Sequence, residues 1–161
     1  YTDANQTIHL SGGEPFTVYC DSKTAGPGWT LIQQRIDGSV DFYRTWKEYR
    51  DGFGDINGEH WIGLQNLYLL THYAQQELYI QLTSFNDEIF YARYSNFLIG
   101  NELEKYKLKK LGKMEGNLAN KFFDHLGHKF STHDQDNDNS TSSNIAINYH
   151  GGWWFFDSNT R

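Results

Sequence analysis

The sequence predicts one domain that combines short helices with antiparallel strands, followed by a loop-rich segment that starts near Gly112. Segments in which apolar and polar residues alternate predict the strands, because alternation is the period of a half-buried strand. Apolar residues three and four positions apart predict the helices. Beyond Gly112 both periods weaken, and Gly, Asn, Ser, Asp and His dominate. A chain of 161 residues has the usual length of a single domain.

The first two strands are predicted near the beginning of the chain. In the segment FTVYCD, Phe16, Val18 and Cys20 share one face of an extended strand. The turn sequence GPG separates this segment from a second one that begins GWTL, so we expect a hairpin-like connection. Cys20 is the only cysteine in the sequence, so an internal disulfide is excluded. A lone thiol on such a strand is most often a small buried hydrophobe.

Two short amphipathic helices are predicted next. Three aromatic residues at helical spacing indicate the first helix: Phe42, Trp46 and Tyr49. Gly52 or Gly54 is expected to end it. Three leucines at helical spacing indicate the second helix: Leu64, Leu67 and Leu70.

An antiparallel pair of strands follows the second helix. Leu78, Ile80 and Leu82 alternate with polar residues, the Asn-Asp sequence at 86–87 is typical of a turn, and a second strand is predicted around residues 90–94. The basic stretch Lys105 to Lys113 is interpreted as a solvated face that flanks Leu108 and Leu111.

Composition limits the classes of partner. The formal charge of -6 argues against nucleic acid, whose affinity depends on clustered lysine and arginine. No apolar run is long enough to predict a membrane span. Aromatic residues make up 17% of the chain against 38% for all hydrophobic residues, so aromatic side chains must supply much of the core.

The segment DQDNDNSTS, residues 134–142, predicts a calcium site. Calcium prefers six to eight oxygen ligands from carboxylates, backbone carbonyls and water. Asp136 and Asp138 offer carboxylates, and Ser140 and Ser142 can offer carbonyls in the same rhythm. No lysine or arginine lies between Asp134 and position 158, so nearby carboxylates would repel each other unless a cation binds.

Three other interpretations fit this region less well. An EF-hand would need a glycine at Asn139 and an acidic residue at Ile145, so that motif fails. Zinc binding by three histidines is conceivable, but the spacing of His125, His128 and His133 matches no known zinc motif. Paired carboxylates for hydrolysis are disfavoured because a general acid needs apolar surroundings and this loop is polar. An enzyme is therefore the weak hypothesis.

Four stretches in a fixed order resemble the fibrinogen C-terminal domain, the module of fibrinogen chains, ficolins, tachylectins, angiopoietins and tenascins. They are FTVYCD, the segment from GWTLIQQRIDGSVDF to HWIGLQNLYLLT, HKFSTHDQDND and YHGGWW. The resemblance implies an α+β fold built on a twisted antiparallel sheet with short helices. It also implies a small subdomain at 1–34, a central sheet subdomain at 35–111 and a calcium and ligand subdomain at 112–161.

The resemblance assigns functional residues. It implies calcium ligation by the side chains of Asp136 and Asp138 and by the carbonyls of Ser140 and Ser142, with Ser143 as the alternative to Ser142. It implies a ligand pocket formed by Tyr149, Trp153, Trp154, Ser158 and Asn159. The same tyrosine and tryptophans could instead be packing residues beneath the loop.

The sequence also departs from the family pattern. The disulfide that brackets the family's ligand pocket is replaced by Ile145 and Ser158. The resemblance implies that Cys20 pairs with a half-cystine upstream of Tyr1. It further implies that the last strand of the central sheet lies beyond Arg161, and without that strand the sheet would have an open edge.

These features predict a secreted, non-enzymatic recognition module. We expect a calcium-braced loop that supports binding of acetylated glycans or microbial surfaces, as in innate immunity. The alternative is a protein-interaction domain that binds a receptor or matrix partner. Asn5 and Asn139 lie in glycosylation acceptor sequences, which matter if the chain is secreted. Oligomerisation is expected through regions outside this chain.

Overall fold

The computed structural model describes residues 3–157. The first sheet is antiparallel and has the order β1 (Ala4–Ile8), β2 (Phe16–Asp21) and β3 (Trp29–Leu31). The predicted hairpin between β2 and β3 is confirmed. β1 was not predicted because its three central residues are polar and exposed. Cys20 is half-buried opposite Ala4 and has no disulfide partner in the described part of the chain.

A small second sheet and the first helix follow. The sheet has the order β4 (Gln33–Gln34), β6 (His60–Trp61) and β5 (Phe53–Gly54). Helix α1 spans Trp46–Asp51 and ends at Gly52 as predicted. The prediction that Phe42 belongs to this helix is wrong, because Thr45 and Glu48 form a capping box that starts the helix at Trp46. Phe42 is nevertheless buried.

The central sheet carries the longest strands. Helix α2 spans Leu64–Tyr73, in agreement with the leucine spacing. The predicted antiparallel pair is confirmed as β7 (Gln76–Thr83) and β8 (Ile89–Ile99). β8 also pairs with β9 (Leu108–Leu111) and β10 (Met114–Gly116), which were not predicted. In β9 two exposed lysines separate two buried leucines, so its pattern does not alternate.

Within residues 3–157, β3 and β7 each pair along one edge only. A cleft of about 430 Å³ lies between them and is lined by Trp29, Gln33, Gln76 and Tyr79, among other residues. The open sheet edge expected from the sequence is therefore present in the described residues.

Beyond β10, the described chain contains little regular structure. It has a 3₁₀ helix at Phe122–His125, two isolated bridges and the short helix α3 (Ile145–Tyr149). Aromatic packing connects it to the core, because Phe130 and Trp154 are almost completely buried and contact each other edge to face at 5.1 Å. Phe130 also packs against Tyr49 and Trp61.

Glu59 organises the turn after β4. Its side chain is almost completely buried and accepts four backbone hydrogen bonds, from Ile36, Asp37, Gly38 and Val40, at 2.6–3.0 Å. The bonds from Gly38, Ile36 and Val40 lower the pKa of this carboxyl to about 2. Its negative charge therefore stabilises the fold at any pH at which the Glu59 carboxyl is also ionised in the unfolded chain.

We predict that Glu59→Gln lowers the melting temperature at pH 7, because an amide NH₂ would face backbone donors. The folded pKa of about 2 lies below the unfolded value of 4.5, so the stabilisation is complete above pH 4.5 and is lost as pH falls towards 2. The difference in melting temperature between wild type and Glu59→Gln, measured by calorimetry, should become smaller as pH falls through that interval.

The exposed Glu88→Gln provides the matched control and should leave the melting temperature nearly unchanged. A Glu59→Gln protein that melts like wild type at pH 7 would contradict this role of Glu59.

Candidate functional site

The acidic loop, residues 131–144, is fixed to the core at its start. Ser131 and Trp153 exchange two backbone hydrogen bonds, at 2.9 and 3.2 Å. The Ser131 hydroxyl accepts a bond from the backbone N–H of Asn137, whose side-chain amide donates to the Phe130 carbonyl at 2.8 Å. The loop is thus held by buried polar contacts at the edge of the aromatic core.

Asp134 has a structural role at this site. Its Oδ1 accepts hydrogen bonds from the backbone N–H of Trp46 at 2.8 Å and from the Thr132 hydroxyl at 2.7 Å. Because Trp46 is the first residue of α1, this carboxylate joins the loop to the start of that helix.

Asp136 and Asp138, the two carboxylates predicted to ligate calcium, lie next to each other in the loop. The Asp138 backbone N–H donates to the Asp136 carboxylate at 3.1 Å. Desolvation raises the pKa of Asp136, and the neighbouring Asp138 carboxylate adds to the rise. In the described part of the chain, neither carboxylate has a salt bridge to a lysine, arginine or histidine. Two carboxylates that repel each other without a neutralising side chain suit a bound cation.

The Asp138 carboxylate also connects the loop to helix α3. Its Oδ1 accepts from the Ser140 N–H at 2.8 Å, and its Oδ2 accepts from the Ile145 N–H at 2.9 Å. Each carboxylate oxygen has more than one acceptor position, so these bonds leave room for an ion. Ile145 is the first residue of α3.

The two serines lie beside this pair. The hydroxyls of Ser140 and Ser142 are 3.3 Å apart. Within residues 3–157, the backbone carbonyls of both serines accept no hydrogen bond from a backbone N–H. Two carboxylates and nearby unoccupied carbonyls fit the oxygen ligands that calcium prefers.

The three histidines considered for zinc serve other contacts. His125 faces the Trp154 carbonyl at 2.8 Å, His128 stacks on Phe156 at 5.0 Å, and His133 packs against Tyr43 at 4.5 Å. Among residues 3–157 no group of three or more His, Cys, Asp or Glu side chains is placed to hold a metal. The calcium arrangement above needs only two carboxylates.

The predicted ligand residues occupy different environments. Trp154 is 2% exposed, and its indole N–H donates to the Tyr106 carbonyl at 2.7 Å. Its ring is therefore part of the core and is not accessible to a ligand. Trp153 is half-buried against Phe122 and His125. Ser158 and Asn159 lie outside the described residues.

Tyr149, in contrast, is 74% exposed at the end of α3, and its ring stacks on Phe155 at 5.8 Å. Ile147 of the same helix is also exposed. We call the stacked pair Tyr149 and Phe155 the α3 face. Asn144 positions this helix, because its Oδ1 accepts from the Ala146 N–H and its amide donates to the Thr132 and His133 carbonyls.

Sequence reasoning missed α3 and its cap. The signal was the asparagine before the apolar residues Ile145 and Ala146, since asparagine is a favoured N-cap.

The glycosylation candidates are both exposed, but their side-chain amides form hydrogen bonds: Asn5 with Asn57 at 3.1 Å, and Asn139 with Asp157.

Tyr49 joins the core to the segment that carries the tryptophan pair. Its hydroxyl donates to the Phe42 carbonyl at 2.7 Å and accepts from the Gly152 N–H at 2.9 Å. A Cβ on Gly152 would lie 2.7 Å from the Tyr49 ring, so only glycine permits this approach. Burial raises the pKa of Tyr49 to about 12, so the hydroxyl stays protonated and can donate.

Comparison with known proteins decides the family. The family model for the C-terminal globular domain of fibrinogen beta and gamma chains matches residues 2–160. The chain belongs to the fibrinogen C-terminal domain family. It is 42% identical over 158 residues to fibrinogen C domain-containing protein 1-B of Xenopus laevis, and the match covers 95% of this chain and 34% of that protein. The chain therefore spans about a third of the length of this curated relative.

Solved structures show the same fold. The fibrinogen-like globe domain of human ANGPTL2 superposes with a TM-score of 0.92 at 38% identity, over 96% of this chain and 71% of that one. The globe domain of human ANGPTL6 gives 0.90 at 36%, over 96% and 68%. Lamprey fibrin D-dimer, complexed with the peptide Gly-His-Arg-Pro-amide, gives 0.83 at 35%, over 91% and 51%. The predicted α+β, fibrinogen C-terminal fold is confirmed.

Membership in this family makes the chain a recognition or interaction module. The family is generally non-enzymatic, and its domains are typically extracellular. No helix in residues 3–157 has both the length and the apolar character needed to cross a membrane.

We predict that Tyr49→Phe destabilises the fold by roughly 1–3 kcal/mol, because it removes both bonds of a buried hydroxyl and leaves the Gly152 N–H without its acceptor. Urea unfolding would measure the loss. Tyr149→Phe removes an exposed hydroxyl and should change stability by less than about 0.5 kcal/mol. Equal stabilities of the two variants would contradict the bridging role of Tyr49.

Proposed function

We propose that this chain is a secreted recognition domain in which a calcium ion braces the acidic loop and the α3 face binds acetylated glycans, including those of microbial surfaces. One observation carries the proposal. The carboxylate of Asp138, which lies beside that of Asp136 without a salt bridge in the described residues, accepts a hydrogen bond from the first residue of α3, and α3 ends at the exposed Tyr149.

Calcium would be held by oxygens of the acidic loop. The side chains of Asp136 and Asp138 and the carbonyls of Ser140 and either Ser142 or Ser143 are the proposed ligands, with water completing the shell. The ion supplies positive charge between carboxylates that repel by about 1 kcal/mol at 4 Å even in water. Because Asp138 also accepts from the Ile145 N–H, fixing its carboxylate fixes the start of α3.

The α3 face suits a ligand with both polar and apolar parts. Tyr149 presents a largely exposed ring that is already oriented by stacking on Phe155, so little conformational freedom is lost on binding. Asn148 and His150 are exposed on either side of it and can hydrogen-bond to hydroxyl or acetamido groups. An acetylated sugar offers both kinds of group.

A receptor or matrix protein is the second candidate ligand, and one observation favours it. Ile147 is a second exposed apolar side chain of α3, and the core of a protein interface is more apolar than the rest of the surface and enriched in aromatic residues. We also propose that the protein oligomerises and that Cys20 pairs with a cysteine other than those of this sequence.

The first prediction concerns calcium. Calcium at ten times its dissociation constant should stabilise the wild type by about 1.4 kcal/mol. Asp138→Asn should lose most of this gain, because it removes a charged ligand. Asp134→Asn makes the same chemical change nearby and should keep the gain, because that carboxylate caps α1. Thermal melts with calcium and with chelator would measure the stabilisation by calcium in each protein. Coincident curves for wild type would contradict calcium binding.

The second prediction concerns the ligand. With calcium present, the protein should be retained on immobilised N-acetylglucosamine and released by acetate or chelator. Tyr149→Ala should weaken retention, whereas Tyr73→Ala, which removes another exposed tyrosine far along the chain, should not. Failure of the calcium-loaded wild type to bind the resin would count against the glycan and leave the protein partner as the candidate.

A further inference from the structure

Asn139 closes the acidic loop onto the segment that follows the tryptophan pair. We propose that its side chain is a clasp that positions the loop, and that an N-glycan on the same side chain opens this clasp. The inference has two parts, a contact within the chain and a modification that is incompatible with it.

The clasp is a pair of hydrogen bonds to one residue. The backbone N–H of Asp157 donates to Asn139 Oδ1 at 2.6 Å, and Asn139 Nδ2 donates to the Asp157 carbonyl at 3.2 Å. The two residues are 18 positions apart, so the pair closes a long segment. It does so next to position 158, where the family resemblance would place a half-cystine. In this chain a side-chain amide joins the two segments there.

Because the side-chain amide of Asn139 is planar, the residue cannot form the clasp and carry a glycan at the same time. A ring closed through Oδ1 and Nδ2 uses the Nδ2 hydrogen on the same side as Oδ1. A substituent on an amide nitrogen takes that side in the trans arrangement, as the next Cα does in a peptide. A sugar on Nδ2 would therefore occupy the place of the clasping hydrogen.

The modification is chemically available at this position. Asn139-Ser140-Thr141 is an acceptor sequence, and both Asn139 and Thr141 are exposed. Transfer from a polyprenyl-diphosphate-linked oligosaccharide forms the Nδ2–C1 bond, breaks the C1–O bond to the diphosphate and releases one amide proton. Because transfer can occur before folding, the clasp does not protect the residue.

The consequence for the loop rests on the proposed calcium site. Asn139 lies between Asp138 and Ser140, both proposed ligands, so an open clasp should loosen the loop and weaken calcium binding. The clasp itself does not depend on calcium and can be tested in chelator.

The first test uses protein from a bacterial host that adds no N-glycan, with amide exchange followed by mass spectrometry in chelator. Asn139→Ala should speed exchange at Asp157 roughly tenfold, because two hydrogen bonds are lost. Asn139→Gln, which displaces the amide by one methylene, should behave similarly. Thr141→Ala destroys the acceptor sequence but keeps Asn139, so it should exchange like wild type. Unchanged exchange at Phe130 would show that the core remains folded.

The second test uses the same proteins secreted from a eukaryotic host. Glycosylated wild type should exchange at Asp157 like Asn139→Ala, and Thr141→Ala should return to the slow rate. Asn139→Ala and glycosylated wild type are the two open forms, and Thr141→Ala is the closed form. Calcium affinity should be about threefold to tenfold lower in the open forms than in the closed form.

Each contrary outcome has a distinct meaning. Slow exchange at Asp157 in Asn139→Ala would overturn the clasp. Slow exchange in the glycosylated protein, or no glycan on Asn139 in secreted wild type, would overturn the switch. Equal calcium affinity in the open and closed forms, with exchange as expected, would reject the coupling between clasp and loop. Absence of calcium binding in every form would reject the proposed calcium site and leave the clasp standing.

Discussion

The hydroxyl of Tyr49 is the contact on which the functional region depends. It joins the Phe42 carbonyl to the Gly152 N–H, and so connects the segment before α1 to the segment that carries the tryptophan pair. The ring of the same residue packs on Trp61 and Phe130, which fixes the start of the acidic loop. A loop-rich region with little regular structure is thus ordered by a buried aromatic residue with a polar end.

The acidic loop is built from the core outwards. Backbone bonds between Ser131 and Trp153 hold its start, and Asp134 joins it to α1. Asp138 then transmits the position of the loop to α3 through the Ile145 N–H. Electrostatic repulsion between the two central carboxylates is the remaining unfavourable contribution, and the proposed calcium ion would offset it.

Much of the fold follows from residue patterns. The alternation around Leu78 and the leucine spacing of α2 each report one buried face, so both elements were predicted correctly. Strands without apolar–polar alternation were missed: β1 has a polar, exposed centre, and β9 places two lysines between buried leucines. Phe42 was placed in α1 because spacing does not show where a capping box begins the helix.

The candidate site was predictable only in part. The DQDND pattern indicates carboxylates at one centre, but it does not show that Asp134 caps a helix or that Trp154 is buried. The account is tested most directly by isothermal titration of the chelator-treated protein with calcium at pH 7. It predicts one ion per chain, with a dissociation constant on the order of 0.1–1 mM. No saturable binding of calcium at tenfold higher concentration would contradict it.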